Sequence, residues 1–240
     1  MIRLDNFSMA FDEKILLKDI NDTFQSSALT ALIGRNGTGK STLLKAICGL
    51  NDRYSGEIYI EHQNLKKIPN YKLAKIIAYV NTQRPRIANL KCKDIVALGR
   101  SPHTGWQGKI SHQDEIIIEK ALEMVGMENY KNRNLNSLSD GESQKIMIAR
   151  AIAQDTKIIV LDEPTSFLDL PTRFELVSLL KRLTSEEKKT ILFSTHELEI
   201  ALKFADYIAL FATPKLINLP TPEFISGNYI SDIFPNLSSF

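Results

Sequence analysis

Cysteine is scarce in this chain, with two among 240 residues, Cys48 and Cys92. They lie far apart in sequence. They show neither the paired spacing of a metal site nor a disulfide framework, a usage that suits a reducing compartment. Long apolar runs are missing as well. No stretch approaches the roughly 20 residues that span a bilayer, so a role in transport would need another chain to form the pore. The opening Met1-Ile2-Arg3-Leu4 meets Asp5 at once, which is not the start of a secretory leader. An excess of one charge is also absent, since 30 Lys and Arg stand against 28 Asp and Glu. Nucleic-acid binders concentrate positive charge on one face, and this balance argues against that class. There is no internal repeat. What the chain has is hydrophobic mass, 43% of its residues, enough for one large α/β domain or a core with a subdomain.

Residues 1–25 alternate apolar and polar positions, as in Ile2 and Leu4, then Ile15 and Leu17. That pattern predicts antiparallel edge strands. Residues 28–33 read as a short buried strand and 41–48 as a helix that Gly49 stops. Ser55-Gly56 reads as a turn before a strand over 57–60. Residues 84–154 change character and are expected to be helical. Within them Ser111 and Asp114 are spaced as a capping box ahead of a helix over 115–125. Parallel-type strands return at 158–162 and 191–195, with a helix near 172–184 between them. Residues 185–189 read as a solvated turn. The tail beyond Phe211, carrying Pro214, Pro220, Pro222 and Pro235, is expected to be the least regular segment.

Residues 34–41 read GRNGTGKS, which fits the phosphate-loop pattern GxxxxGK(S/T), and no second GK(S/T) occurs. Phosphates carry several negative charges and need many donors with little bulk around them. Gly34, Gly37 and Gly39 let the backbone turn tightly and aim its N–H groups inward. The helix that follows adds its positive end. Lys40 suits the β and γ oxygens, and the Ser41 hydroxyl suits Mg²⁺. A Gly-rich turn before an ordinary helix is the plainer reading; the apolar strand ahead of the loop argues against it.

The apolar run at 158–161 predicts a strand buried on both faces. Asp162 and Glu163 follow at its carboxyl end, where open α/β sheets place ligands. Successive strand residues face opposite ways. Asp162 can therefore hold a Mg²⁺ shell while Glu163 faces an attacking water. On spacing alone, exposed loop acids are the commoner outcome, and the phosphate loop shifts the balance. Ser139-Asp140-Gly141-Glu142 is an S-x-x-E capping box opening a helix over 142–154. The same geometry, a Ser hydroxyl and a Gly backbone at a helix N-terminus, is an anion site. His196 follows the apolar run at 191–193 and reads either as a structural strand-end residue or as a catalytic one. Gln83, a polar loop residue, and Phe11, a core residue by default, carry weaker signals. Asp169 reads as a helix cap ahead of Pro171.

In this order the segments resemble the ABC ATPase superfamily across almost the whole chain. The resemblance implies an α/β fold: a P-loop NTPase (RecA-like) core with an N-terminal antiparallel β subdomain and an inserted α-helical subdomain. Residues 1–83 and 155–240 would form the nucleotide-binding core, and 84–154 the helical signature subdomain. Residues 34–42 become the Walker A loop, with Gly34, Asn36, Gly37, Thr38, Gly39, Lys40, Ser41 and Thr42 holding ATP and Phe11 stacking on adenine. Residues 158–163 become the Walker B strand with Glu163 catalytic, and 166–169 the D-loop. His196 becomes the switch histidine. Gln83 becomes the Q-loop glutamine, at the Mg²⁺ site with Ser41 and Asp162. Residues 138–142 become the signature motif, whose Ser139 and Gly141 cover the nucleotide of a second subunit.

The implied activity is ATP hydrolysis coupled to transport, with Glu163, His196, Gln83 and Lys40 as catalytic residues. The implied partners are a second copy in an ATP-sandwich dimer, an integral membrane permease dimer and, indirectly, a substrate-binding protein, with no nucleic acid. The implied place is cytoplasmic, peripheral on the inner face of the cell membrane. Residues 94–106, DIVALGRSPHTGW, are similar to the segment after the Q-loop in importers of iron siderophores, haem and cobalamin. Here Leu98, Pro102 and Trp106, with Arg100 and His103, have the composition of a permease-docking groove. A soluble ABC ATPase outside transport, as in iron–sulfur cluster assembly, is the alternative that this segment ranks second. The chain departs from the family pattern at Asp140, where Gly is usual, at Glu142, where Gln is common, and at Asn81-Thr82 ahead of Gln83. It also has Thr213-Pro214 where a Gly-bearing turn is usual after the last strand.

Overall fold

The computed structural model describes residues 1–82, 89–106, 108–227 and 229. In chain order its strands are β1 (Ile2–Phe11), β2 (Lys14–Phe24), β3 (Leu29–Ile33), β4 (Ser55–Ile60), β5 (Gln63–Asn64), β6 (Ile77–Val80), β7 (Ile158–Leu161), β8 (Thr190–Ser194), β9 (Tyr207–Ala212) and β10 (Lys215–Pro220). Its α-helices are α1 (Lys40–Ile47), α2 (Asn70–Leu73), α3 (Cys92–Ala97), α4 (His112–Met124), α5 (Asp140–Ala153), α6 (Leu170–Ser185), α7 (Leu198–Phe204) and α8 (Thr221–Ser226).

The N-terminal alternation becomes an antiparallel sheet in the order β2-β1-β4-β5. Ile2, Leu4, Phe7 and Met9 of β1 face inward. The turn expected at Ser55-Gly56 is instead the start of β4, at a break in its register with β1 between Asp5 and Ser8. A bulge takes the same small residues as a turn, and composition does not separate the two.

The second sheet runs β10-β9-β3-β8-β7-β6 and is parallel except for β10. Its central strands are buried on both faces and mostly apolar, β7 wholly so, because each face meets a separate core. Ile158 and Val160 of β7 point to a core shared with the small sheet and with Leu43, Leu44 and Ile47 of α1. Ile159 and Leu161 point to the other core, with Ile95, Ile118, Leu122, Ile146, Val177 and Leu180 from α3, α4, α5 and α6. The apolar side of the described part of the 84–154 segment is thus continuous with the sheet's far face.

Two sequence expectations need correction, and one strand was not expected at all. Strand β6 had no period to reveal it in four residues; it is defined by pairing with β7, from Ile77 opposite Ile158 to Val80 opposite Leu161. Helix α4 begins at His112 and α5 at Asp140, earlier than the apolar patterns suggested. In a capping box the acid is the third helical residue, so each helix opens directly after Ser111 or Ser139. The tail is regular where it is described. β9 and β10 form a hairpin through Thr213-Pro214, and Phe224 of α8 is fully buried. The Lys18 N–H donates to Pro214 O at 2.9 Å, and Asn218 Nδ2 donates to Asp22 Oδ1 and Thr23 O. These bonds seat the hairpin on β2 without the usual glycine.

Candidate nucleotide site

The phosphate loop leaves the end of β3 and enters α1. Gly34, Gly37 and Gly39 all take positive φ, a conformation that L side chains resist. Lys40 is buried, and its ammonium donates to Gly34 O at 2.8 Å and to Arg35 O at 3.2 Å. Burial lowers its pKa, and the charges of Glu163 and Asp162 oppose that shift. The Thr38 hydroxyl donates to Arg35 O at 2.8 Å. Thr42 lies in the first turn of α1 and Asn36 is exposed on the loop.

Strand β8 separates β3 from β7 in the sheet, yet the ends of all three converge. The Ser41 hydroxyl donates to Asp162 Oδ1 at 2.8 Å across 121 residues of sequence. Asp162 is buried, and its main chain is tied to β6 by its N–H to Val80 O and by the Thr82 hydroxyl to Asp162 O at 3.0 Å. Glu163 is half-buried at φ 47, and its carboxylate accepts the Ser166 hydroxyl at 3.2 Å. Two hard oxygen donors 2.8 Å apart fit Mg²⁺, which binds through one or two protein oxygens plus substrate phosphates. Among the described residues no group of three or more His, Cys, Asp or Glu could hold a metal by itself.

His196 is exposed just beyond β8. Phe11, 64% exposed, closes β1 at the hairpin tip. Lys14, across that tip, reaches Gly37 O at 3.5 Å, which brings the hairpin to the phosphate loop. Ser139 caps α5 through a complete capping box. Its hydroxyl accepts the Glu142 N–H, and the Glu142 carboxylate accepts the Ser139 N–H at 2.8 Å. Those bonds, with Tyr130 and Arg133 nearby, lower the Glu142 pKa. The extra acid is thus folded back on its own helix end. A Cβ on Gly141 would lie 3.1 Å from Leu168 Cδ2, so the signature segment abuts residues 166–169. Gln83 lies outside the described residues.

The structure also shows residues that no motif pointed to. The Thr165 hydroxyl donates to Glu197 Oε1 at 3.0 Å, and Arg173 pairs with the same carboxylate at 3.1 Å. The segment after Glu163 is thereby tied to the one after His196. In the 94–106 segment, Arg100 is not a rim residue. It is buried, donating to Asp114 Oδ1 at 2.7 Å and to Ala153 O at 2.8 Å. Leu98 and Trp106 are 50% and 95% exposed, and His103 pairs with Gln154 O at 2.9 Å.

A phosphate loop after a central parallel strand, facing an acid at the end of a strand two places away, defines a P-loop nucleotide-binding domain. The family model described as ABC transporter matches residues 17–166, and the chain belongs to that family. It is 34% identical to the petrobactin import ATP-binding protein YclP of Bacillus subtilis, over 98% of this chain and 92% of that one. Its fold is similar to that of a metal-chelate type ABC transporter solved in an inward-facing conformation. The TM-score is 0.86 at 28% identity, over 98% of this chain and 88% of that one. It is also similar to the dimeric ABC transporter cassette MJ0796, with a TM-score of 0.82 at 28% identity, over 92% of this chain and 99% of that one. No helix among the described residues is long and apolar enough to cross a membrane.

Proposed function

We propose that this chain is the ATP-hydrolysing subunit of an importer, driving uptake of an iron–siderophore or similar metal chelate through a separate membrane permease. One observation carries the ATPase reading: Ser41 of the phosphate loop meets Asp162 at 2.8 Å, with Glu163 next in the chain. In this reading residues 34–42 cradle the triphosphate, Lys40 turns its ammonium from Gly34 O to the β and γ oxygens, and Phe11 packs on adenine. Ser41 and Asp162, with Gln83, hold Mg²⁺, which supplies neutralisation of phosphate charge when bound. Glu163 is the general base for water, and His196 steadies the γ-phosphate. Ser139 and Gly141 complete the site of a second copy. The segment over 84–154, helical in much of its described part, is the unit that would carry this motif to its partner.

The importer class rests on similarity to YclP and to the metal-chelate type transporter, and on residues 94–106. There Leu98 and Trp106 offer exposed apolar contacts for a cytoplasmic helix of the permease, which would hold the subunit at the membrane. A substrate-binding protein would act on the far side. Relatives named for iron(3+)-hydroxamate import and for a siderophore transport system favour this over a role in cluster assembly.

Replacing Glu163 by Gln tests the site. General-base catalysis contributes about 10² to 10⁴-fold, so Glu163→Gln should lose most turnover and still bind ATP. Near-normal turnover would remove Glu163 from the role. Trp106→Ala should keep basal hydrolysis and lose permease-stimulated hydrolysis and uptake. Reconstitution with an amino-acid or sugar permease in place of a chelate permease would sink the substrate class alone.

A further inference from the structure

Strand β8 lies between the strand that launches the phosphate loop and the strand that ends in the two acids. Its last residue, Ser194, is fully buried and belongs to none of the motifs. Its hydroxyl donates to Asp162 Oδ1 at 2.7 Å and accepts the Glu163 N–H at 2.8 Å. A serine hydroxyl has one proton and two lone pairs, so both bonds form at once. We infer that Ser194 is a positioning residue for ATP hydrolysis, holding the metal-site carboxylate and the catalytic glutamate in register through one hydroxyl.

The inference rests on the site reading above, and three observations carry it further. First, Asp162 Oδ1 accepts both Ser41 and Ser194. With two hydroxyls on one oxygen the carboxylate has a fixed rotamer. Second, Glu163 stands at φ 47. A non-glycine residue keeps such a conformation only where its surroundings hold it. The bond from its N–H to Ser194 is such a restraint, and without it a part-buried donor would lose its partner. Third, Asp162 is already fixed through its main chain to Val80 and Thr82. The Ser194 hydroxyl transfers that fixed frame to the next residue. Ser194 touches neither substrate nor metal in this scheme and acts through Asp162 and Glu163.

The variants Ser194→Ala, Ser194→Thr and Ser194→Val separate positioning from packing. Thr and Val have nearly the same shape, and only Thr keeps the hydroxyl. The full chain is assayed for turnover, for affinity toward a fluorescent ATP analogue in EDTA, for the free Mg²⁺ that half-saturates its metal-dependent binding, and for melting temperature. Small displacements of aligned groups cost large factors in rate, so Ala and Val should lower kcat by roughly 10 to 100-fold. Their metal-free analogue affinity should stay at the wild-type level, while the Mg²⁺ requirement rises. Thr should restore most of both. Wild-type turnover and Mg²⁺ requirement in Ser194→Ala would overturn the inference, as would equal impairment of folded Thr and Val chains. If Thr and Val do not fold, the Ala result decides alone. Glu163→Gln in parallel keeps the outcomes distinct. An inactive Glu163→Gln beside a fully active Ser194→Ala sinks only the Ser194 role, and an active Glu163→Gln sinks the site reading beneath it.

Discussion

The buried ammonium of Lys40 rests on the Gly34 and Arg35 carbonyls, and desolvation lowers its pKa against the pull of Glu163 and Asp162. A triphosphate offers that cation a stronger partner than two carbonyls. Losing one electrostatic partner of a phosphoryl transition state costs about 3 to 4 kcal/mol. Lys40→Ala should therefore fail at binding or in rate by that margin, and unchanged values of both would contradict the phosphate-loop assignment. Arg100 and Asp114 make a second buried pair with a structural task. The Ser111 hydroxyl and N–H, followed by Arg100, hold the Asp114 pKa at about 2. A depressed carboxylate contributes stability that is complete above its unfolded pKa, about 3.9, and is lost as pH falls through the folded value. The Asp114 contribution should therefore fade between about pH 4 and pH 2, and Asp114→Asn should flatten urea-derived stability over that window. Arg100→Ala at neutral pH removes the cation while the two Ser111 bonds to Asp114 remain, so the loss should stay below the about 3 to 5 kcal/mol of a buried pair left wholly uncompensated. A melting temperature close to wild type would show that the pair is not holding the segment.

Elements explain why some site residues were legible in the sequence and others were not. The phosphate loop is contiguous and its chemistry demands glycines and a lysine in fixed order, so residues 34–41 could be read directly. The two capping boxes were legible because one turn of helix contains all their bonds. Ser194 and Thr165 were not legible. Each acts across 32 residues of sequence, on Asp162 and Glu197 respectively, and no local spacing encodes a bond between strand ends. The segment 94–106 was half legible. Gly99 belongs there because a Cβ would meet Arg150 O at 2.2 Å, and Arg100 belongs there to reach the end of α5. These residues anchor the segment; Leu98 and Trp106 are left outside. The two readings of His196, just beyond β8, make different predictions. The side chain is exposed, and no side chain caps the first turn of α7. A structural role therefore has little to act through, and His196→Ala should keep the melting temperature while reducing turnover. Lower stability with normal turnover, measured on one preparation, would restore the structural reading.

At the scale of the whole molecule, one phosphate loop per chain leaves the signature helix end without a nucleotide of its own. Ser139 is exposed at the N-terminus of α5, whose capping box already uses Glu142. Beside Gly141 lie Leu168 Cδ2 and Phe167 O, in a segment whose Phe167 and Leu170 side chains are exposed and whose Phe167 stands at φ 69. An exposed apolar patch against an anion site suits a surface that is covered in one functional state. The proposed two-fold dimer would cover it and bring each Ser139 to the partner's phosphate loop, an isologous arrangement. The dimeric cassette MJ0796 supplies a precedent of similar fold. In that dimer ATP would contact both chains only on closure, so its binding energy would favour the closed state alone. Glu163→Gln, which retains ATP, should elute as a dimer with ATP and as a smaller species without it. Mixing defective chains asks more. Ser139→Arg chains keep their phosphate loop and lose the signature contact, and Lys40→Ala chains do the reverse. Either homodimer lacks an intact composite site, whereas a mixed dimer has one. Mixing should therefore restore ATP-dependent dimerisation and hydrolysis that neither preparation shows alone. A mixture as inactive as its parts, with dimers shown to exchange chains, would mean that Ser139 does not serve the partner's nucleotide.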